Sequence, residues 1–171
     1  MWQVGDAVPA ATVYEYNAVA GEGCPIGPAA VDLAAASQGK TIALFALPGA
    51  YTPTCSAKHL PGYVELATEF RAAGVDEIWC LSVNDAFVMH HWGQAQGATG
   101  VVRMLGDGSA IFTQAVGLVL DLTAKGMGVR SQRYAALLVD GRVAVLQVEA
   151  PGQFDVSSAS ALLAAARART A

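Results

Sequence analysis

The chain has 171 residues, of which 54% are hydrophobic, and its formal net charge is −4. This length is typical of one domain with a sizeable core, so we expect a single domain over residues 1–171. The acidic balance and the lack of a Lys/Arg cluster exclude the usual nucleic-acid-binding surface. No apolar run approaches the roughly 18 residues of a membrane span, and the N-terminus lacks the pattern of a secretory signal. We therefore expect a soluble, cytoplasmic protein.

The three cysteines, Cys24, Cys55 and Cys80, are an odd number at wide spacing. A secreted disulfide framework usually contains an even number of cysteines at regular spacing. The pattern is instead typical of a reducing compartment, in which thiols serve chemistry or packing. We assign Cys24 no catalytic role.

The N-terminal third is predicted to hold a β-hairpin, a short helix and a central strand. Residues 12–16 alternate apolar and polar side chains, and 21–28 are rich in Gly and Pro, so we expect a hairpin with Cys24 at its loop. The short helix covers 31–37. Residues 40–47 are apolar, include β-branched and aromatic side chains, and stop at a Pro-Gly pair, which indicates a buried strand.

A helix is predicted directly after this strand, because residues 55–74 have apolar side chains at helical spacing. Thr52 or Thr54 can cap it, and Pro53 fits an early helical position that needs no N–H partner. Pro61 lies inside the helix and is predicted to kink it, since proline removes a backbone donor.

Cys55 falls in the first turn of this helix, at the carboxyl end of a buried strand. Unpaired first-turn amides and the helix dipole favour a thiolate there. Open α/β sheets bind their ligands beyond the carboxyl ends of their strands. A small apolar cysteine packed behind a helix start would look the same, so the residue alone leaves a reactive and a structural role open.

The remaining predicted strands and helices indicate the fold class. Further strands are predicted over residues 77–83, 101–105, 133–139 and 142–148. Further helices are predicted from Asp85 to Gly97, from a cap at Ser109 to Gly117, and from a cap at Ser157 or Ser158 to Arg169. A βαβ core followed by a hairpin and a helix predicts an α/β, thioredoxin-like fold. In that fold a central mixed sheet is flanked by helices, here with an N-terminal hairpin extension.

Dithiol exchange is excluded for Cys55. Oxidoreductases of the thioredoxin-like class use a Cys-x-x-Cys motif, in which the second thiol attacks a mixed disulfide. The second position of that motif would be 58, which is Lys58.

The string Pro48-Gly-Ala-Tyr-Thr-Pro-Thr-Cys-Ser56 resembles the peroxidatic motif of peroxiredoxins, Pro-x-x-x-Thr/Ser-x-x-Cys. With the following Lys58-His59 and Pro61-Gly62 it is similar to the type-II, or peroxiredoxin-5-like, subgroup. The resemblance extends over nearly the whole chain. Its other segments are Val4-Gly-Asp-x-x-Pro9, Leu81-Ser-Val-Asn-Asp-x-Phe-Val-Met89, Trp92, Leu105-Gly-Asp107 and Arg130-Ser-x-Arg-Tyr134.

This resemblance implies a thiol-dependent peroxidase that reduces hydrogen peroxide and alkyl hydroperoxides through a cysteine sulfenic acid. Cys55 would be the peroxidatic cysteine, Thr52 would hydrogen-bond the peroxide, and Pro48 would shield the thiol. Arg133 would stabilise the leaving oxygen, although Arg130 lies three residues earlier and could take that role. No metal or organic cofactor is required.

The resemblance leaves the recycling step open. Cys80 matches the second cysteine of plant-type members, to which the resolving role is assigned, yet its apolar neighbours on a predicted strand equally suit a core thiol. The reductant would be glutathione, glutaredoxin or thioredoxin. A homodimer is also implied, with the region around Phe87 contributing to its contact.

Other interpretations of the same residues have less support. His59, one turn after Cys55, suggests a Cys–His nucleophile, but a packing histidine is the simpler interpretation because no orienting group is evident. A zinc site lacks the ligand spacing of structural zinc. Alternative functions are a redox sensor that signals through oxidation of Cys55 and a structural thioredoxin-like module.

Overall fold

The computed structural model describes residues 1–16 and 27–170, so Cys24 lies outside the described residues. A seven-stranded mixed sheet runs through the domain in the order β2-β1-β5-β4-β3-β8-β9, and a separate two-stranded sheet pairs β6 with β7. Across the two described ranges, no helix is long and apolar enough to cross a membrane.

The strands of the large sheet are β1 (Thr12–Glu15), β2 (Ala29–Asp32), β3 (Thr41–Leu47), β4 (Glu77–Ser82), β5 (Arg103–Gly106), β8 (Tyr134–Val139) and β9 (Arg142–Val148). Those of the small sheet are β6 (Val119–Leu122) and β7 (Gly128–Ser131). The helices are α1 (Leu33–Ala36), α2 (Leu60–Glu65), α3 (Ala67–Ala72), α4 (Ala86–Ala95), α5 (Ile111–Ala115) and α6 (Ala159–Thr170). A π-helical turn, Cys55–His59, precedes α2, and a 3₁₀ turn, Thr123–Lys125, connects β6 to β7.

Strand β3 is the centre of the fold because both of its edges are paired and both of its faces are buried. It runs parallel to β4 and antiparallel to β8. Its alternate residues Ala43, Phe45 and Leu47 enter a core beneath α2, α3, α4 and α6. The intervening residues of β3 enter a second core on the opposite face, against α1, α5 and the N-terminal residues. A strand buried on both faces has a continuous apolar sequence, which is why the pattern of residues 40–47 was informative.

The predicted fold class is confirmed: the domain is a thioredoxin-like α/β fold with a central mixed sheet flanked by helices. The expected N-terminal hairpin is present, since β1 and β2 pair antiparallel. It joins the sheet edge through the pairing of Tyr14 with Gly106.

Some local predictions were wrong. Val31 belongs to β2, and Asp32 caps the short helix, because its carboxylate accepts from the amides of Ala34 and Ala35. Ser109 does not cap α5: the Asp107 side chain accepts from the amides of Phe112 and Thr113 instead. The small sheet formed by β6 and β7 was not predicted, because neither segment shows a clear alternation.

The last helix follows the prediction closely. Ser158 caps α6 by accepting from the Ala161 amide at 3.3 Å. The neighbouring Ser157 side chain makes a different bond, to Glu149.

Candidate active site

The loop between β3 and the Cys55 turn is held by the end of β4. The Asn84 side-chain oxygen accepts from the Ala50 amide at 3.0 Å and from the Ser82 hydroxyl at 2.8 Å. Tyr51 in this loop has φ +62°, a left-handed conformation that costs free energy in a residue other than glycine. Among the sequence motifs, Asn84 appears only in the segment 81–89 that carries the family resemblance. Its contacts across the sheet edge make it a support of the loop that carries the thiol.

Cys55 begins the π-helical turn and is fully buried. Residues 53 and 54 are already helical, which places Pro53 in the first turn as predicted. Neither threonine caps the helix through its side chain: Thr54 makes no such bond, and the Thr52 hydroxyl donates to the Gly49 carbonyl at 2.8 Å. The turn widens to i→i−5 bonding, with the Leu60 amide donating to the Cys55 carbonyl, directly before Pro61. A wide turn before proline relieves the clash that a regular α-helix would suffer.

Arg133 contacts the thiol directly. Its Nη2 donates to Cys55 Sγ at 3.3 Å, and its Nη1 donates to His59 Nδ1 at 2.9 Å. The position follows from the sheet, because β8 begins at Tyr134, whose partner is Ala46 at the carboxyl end of β3. A guanidinium is always charged, so it places a fixed positive charge beside the sulfur.

His59 is a fully buried, neutral imidazole that holds Arg133. Arginine can only donate, so Nδ1 must accept, and the remaining proton lies on Nε2 and is donated to the Ser157 carbonyl at 3.1 Å. Burial, with a further contribution from Arg133, lowers the pKa of His59 to about 3, although the bond to Ser157 opposes the shift. The histidine is therefore a support for Arg133, and a role as general base for Cys55 has no basis in this geometry.

Arg130 occupies a different place from Arg133. Its Nε donates to the Met127 carbonyl at 2.7 Å and its Nη1 donates to the Pro48 carbonyl at 3.3 Å. A Cβ at Gly49 would lie 2.9 Å from Arg130 Nη1. Arg130 therefore buttresses the Pro48 end of the loop, whereas Arg133 is the arginine that reaches the thiol.

Cys80 lies on β4 beside Phe45 and faces the same core as Cys55. Both thiols are free and fully buried. Burial, with a contribution from Cys55, raises the pKa of Cys80 well above its ordinary value. Within the two described ranges, no three His, Cys, Asp or Glu side chains form a cluster that could hold a metal ion.

A set of residues behind Arg133 was not predicted as part of the site. Phe154 packs edge-on against the His59 ring at 5.1 Å and lies 5.8 Å from the Arg133 guanidinium carbon. Ser157 supplies the carbonyl that His59 binds, and Glu149 binds Ser157. These residues lie in a loop whose composition suggests only a turn.

Comparisons with known proteins find relatives over nearly the whole chain. The redoxin family profile matches residues 3–163. Peroxiredoxin-2B of Arabidopsis thaliana is 48% identical over 162 residues, which are 95% of this chain and 96% of the relative. The structure of reduced Prx3 in complex with hydrogen peroxide from Vibrio vulnificus is 46% identical with a TM-score of 0.89, covering 97% of this chain and 99% of that chain. A Burkholderia cenocepacia structure described as a thioredoxin reductase is 57% identical with a TM-score of 0.92, covering 96% and 97%.

The chain therefore belongs to the redoxin family, and within it to the peroxiredoxins of the type-II subgroup. It is a peroxidase enzyme that acts on a peroxide with a thiol reductant. The reductase description of the Burkholderia cenocepacia protein names a different activity, and Lys58 leaves Cys55 without the second thiol of a dithiol motif.

Proposed function

We propose that Cys55 reduces hydrogen peroxide and alkyl hydroperoxides through a sulfenic acid. The observation that carries the proposal is the bond from Arg133 Nη2 to Cys55 Sγ in a site shielded from water. In this pair the thiolate is the nucleophile, and the guanidinium is the hydrogen-bond donor for the oxygen that leaves. The hydrogen peroxide bound to the Vibrio vulnificus relative supports the substrate class.

The reaction forms one bond and breaks one. The Cys55 thiolate attacks one peroxide oxygen, forming S–O as O–O breaks, so the sulfur is oxidised and the peroxide is reduced. The other oxygen leaves as hydroxide or alkoxide and takes up a proton. Arg133 stabilises the negative charge that develops on it. Because the Thr52 hydroxyl donates to Gly49, its lone pairs remain available to accept the peroxide hydrogen.

Replacing Cys55 tests the proposal. We expect Cys55→Ser to lower peroxide consumption to the uncatalysed rate with any reductant, because a serine hydroxyl is not ionised at neutral pH. The measurement is peroxide loss with glutathione plus glutaredoxin and, separately, with thioredoxin. Cys24→Ser is the matched control and should retain activity. Turnover by the Cys55→Ser variant would contradict the proposal.

For the recycling step we propose that an external thiol of the glutathione or glutaredoxin class attacks oxidised Cys55, in a reducing, cytoplasmic compartment. Attack by Cys80 would require Cα atoms within about 7 Å, an unwound Cys55 turn, and ionisation of a thiol whose pKa is raised by burial. An external thiol also needs the turn to open, because Cys55 is fully buried, but it does not need a buried thiol to ionise. The raised pKa of Cys80 therefore favours the external route.

Peptide mass analysis under non-reducing conditions distinguishes the two routes. After one equivalent of peroxide and then glutathione, we expect a glutathione adduct on Cys55 and an unmodified Cys80. We also expect Cys80→Ser to retain glutathione-driven turnover within about threefold. A Cys55–Cys80 link, together with loss of thioredoxin-driven turnover in Cys80→Ser, would instead identify Cys80 as the resolving cysteine.

We also propose a homodimer that forms through the Phe87 surface, defined here as Tyr14, Phe87 and Ile111. Each of these large side chains is exposed, with Phe87 at 44% and Ile111 at 53%. They line one cavity at the same edge of the sheet. A contiguous exposed apolar patch of this kind favours association with another protein surface.

A further inference from the structure

The segment between β9 and α6, residues 149–158, is anchored by one carboxylate. It is called here the Glu149 loop. Oε1 of Glu149 accepts from the Asp155 amide at 2.7 Å, from the Ser157 amide at 2.8 Å and from the Ser157 hydroxyl at 2.8 Å. The Glu149 backbone amide also donates to the Arg133 carbonyl at 3.0 Å. One buried residue therefore bonds both the far end of the loop and the strand end that carries Arg133.

The Glu149 loop contacts the two residues behind the thiol. The Ser157 carbonyl accepts from His59 Nε2 at 3.1 Å and from the Tyr63 hydroxyl at 3.0 Å. The Phe154 ring packs against His59 and faces the Arg133 guanidinium. Each step from Glu149 to the sulfur is thus a direct contact, through Ser157, His59 and Arg133 in turn.

We infer that Glu149 is a positioning residue for the peroxidase reaction: by fixing the Ser157 carbonyl it sets the tautomer of His59 and thereby aims the Arg133 guanidinium at Cys55. A carbonyl can only accept, so it keeps the imidazole proton on Nε2 and leaves Nδ1 free to accept from Arg133. With the proton on Nδ1, the N–H group of His59 would face the N–H donor of Arg133, and no hydrogen bond could form between them. The guanidinium would then lose one of the two bonds that orient it. This inference rests on the proposed function of Cys55 and Arg133.

The charge of Glu149 provides a competing explanation. Burial acts to raise its pKa, but the bonds from Ser157 and Asp155, with a contribution from Arg133, outweigh it and hold the pKa below its ordinary value. The carboxylate is therefore ionised at neutral pH and also attracts Arg133 through space. Glu149→Gln separates the two effects, because the amide retains an oxygen for the loop amides and removes the charge.

The test compares two reactions of the same thiol. Peroxide oxidation requires Arg133 at the leaving oxygen, whereas alkylation by iodoacetamide requires only an accessible thiolate. We expect Glu149→Ala to lower the second-order rate constant for hydrogen peroxide by about 10- to 100-fold, as expected for a misplaced catalytic group. With both reactions run above the ordinary pKa of a cysteine thiol, about 8.5, the alkylation rate should change by less than about threefold. Glu149→Gln should restore the peroxide rate to within about threefold of the wild type.

Ser158→Ala is the matched control, because it alters the same loop while its side chain bonds only Ser160 and the Ala161 amide, outside the path from Glu149 to Arg133. We expect its peroxide rate to stay within about threefold of the wild type. If Glu149→Ala fails to fold, Ser157→Ala removes one of the three donors to Oε1 and leaves the backbone bonds. It should lower the peroxide rate by about tenfold with alkylation unchanged, because a bond to a charged carboxylate is lost.

Three results would overturn the inference. They are an unchanged peroxide rate in Glu149→Ala, an equal fall in peroxide and alkylation rates, and a Glu149→Gln variant as slow as Glu149→Ala. In the fallback variant, an unchanged peroxide rate in Ser157→Ala does the same. Failure of the proposed function is recognised separately, because the wild-type protein would then be alkylated at Cys55 without reacting rapidly with peroxide.

Discussion

At the scale of single residues, the site depends on keeping one histidine uncharged. His59 is buried between the Ser157 carbonyl and the Arg133 guanidinium, and a second proton would place two positive charges in contact. Its pKa of about 3 in the folded protein lies below the ordinary value of 6.5. Between these two values the unfolded chain binds the proton more readily than the folded protein does, so stability rises with pH and is complete above the ordinary value.

This difference predicts a loss of stability in mild acid. As the pH falls from about 6.5 towards 5, the free energy of unfolding should decrease with a slope approaching about 1.4 kcal/mol per pH unit. Urea unfolding at several pH values measures it. His59→Gln should flatten the slope, whereas His91→Gln, at an exposed histidine, should retain it. Parallel slopes in the wild type and His59→Gln would contradict the assignment.

At the scale of elements, the start of α5 shows how a side chain slightly earlier in the chain replaces the expected cap. Ser109 has the residue type of an N-cap, but the helix starts at Ile111 after Ala110, whose φ is +57°. The buried Asp107 carboxylate instead accepts from the amides of Phe112 and Thr113. The carboxylate reaches past the left-handed residue and satisfies both donors.

Substitutions of Asp107 and Ser109 should show which of the two side chains caps α5. We expect Asp107→Ala to lower the free energy of unfolding by about 2 kcal/mol, because it removes a cap and leaves two buried amides without an acceptor. Ser109→Ala, at an exposed side chain, should change it by less than about 0.5 kcal/mol. Urea denaturation of both variants provides the measurement. If both variants lost the same free energy of unfolding, the assignment of Asp107 rather than Ser109 as the cap of α5 would be wrong.

At the scale of the whole molecule, the sheet brings distant residues together and leaves the Phe87 surface uncovered. Pairing of β8 with β3 places Arg133 beside a thiol 78 positions earlier. The two cores bury many large apolar side chains, whereas Tyr14, Phe87 and Ile111 are among those that remain exposed. Association through this surface would bury them close to the loop that Asn84 supports.

Sedimentation velocity tests the proposed dimer. We expect the wild-type chain to sediment as a dimer and Phe87→Asp as a monomer, because a charge in an apolar contact is left without a partner. Val4→Asp, at an exposed apolar residue outside the Phe87 surface, is the control and should sediment like the wild type. A monomeric wild type, or a dimeric Phe87→Asp variant, would rule out this interface.

The sequence by itself determined the features that depend on local pattern. A strand buried on both faces must be apolar throughout, so β3 was predictable. Proline is favoured in the first turn of a helix, so Pro53 made the position of Cys55 near the helix start predictable as well. The absence of a second cysteine at position 58 excluded dithiol chemistry. The order of strands and helices was sufficient to predict the fold, because connection rules leave few alternatives.

Only the tertiary structure decided which groups meet the thiol. Arg130 and Arg133 are three positions apart with equal charge, and the pairing of β8 with β3 determines that Arg133 reaches Cys55 while Arg130 reaches Pro48. The contacts of the Glu149 loop with the Cys55 helix had no sequence signal, because they join residues 94 or more positions apart. Spacing along the chain records local geometry, whereas contacts across a sheet are set by register and burial.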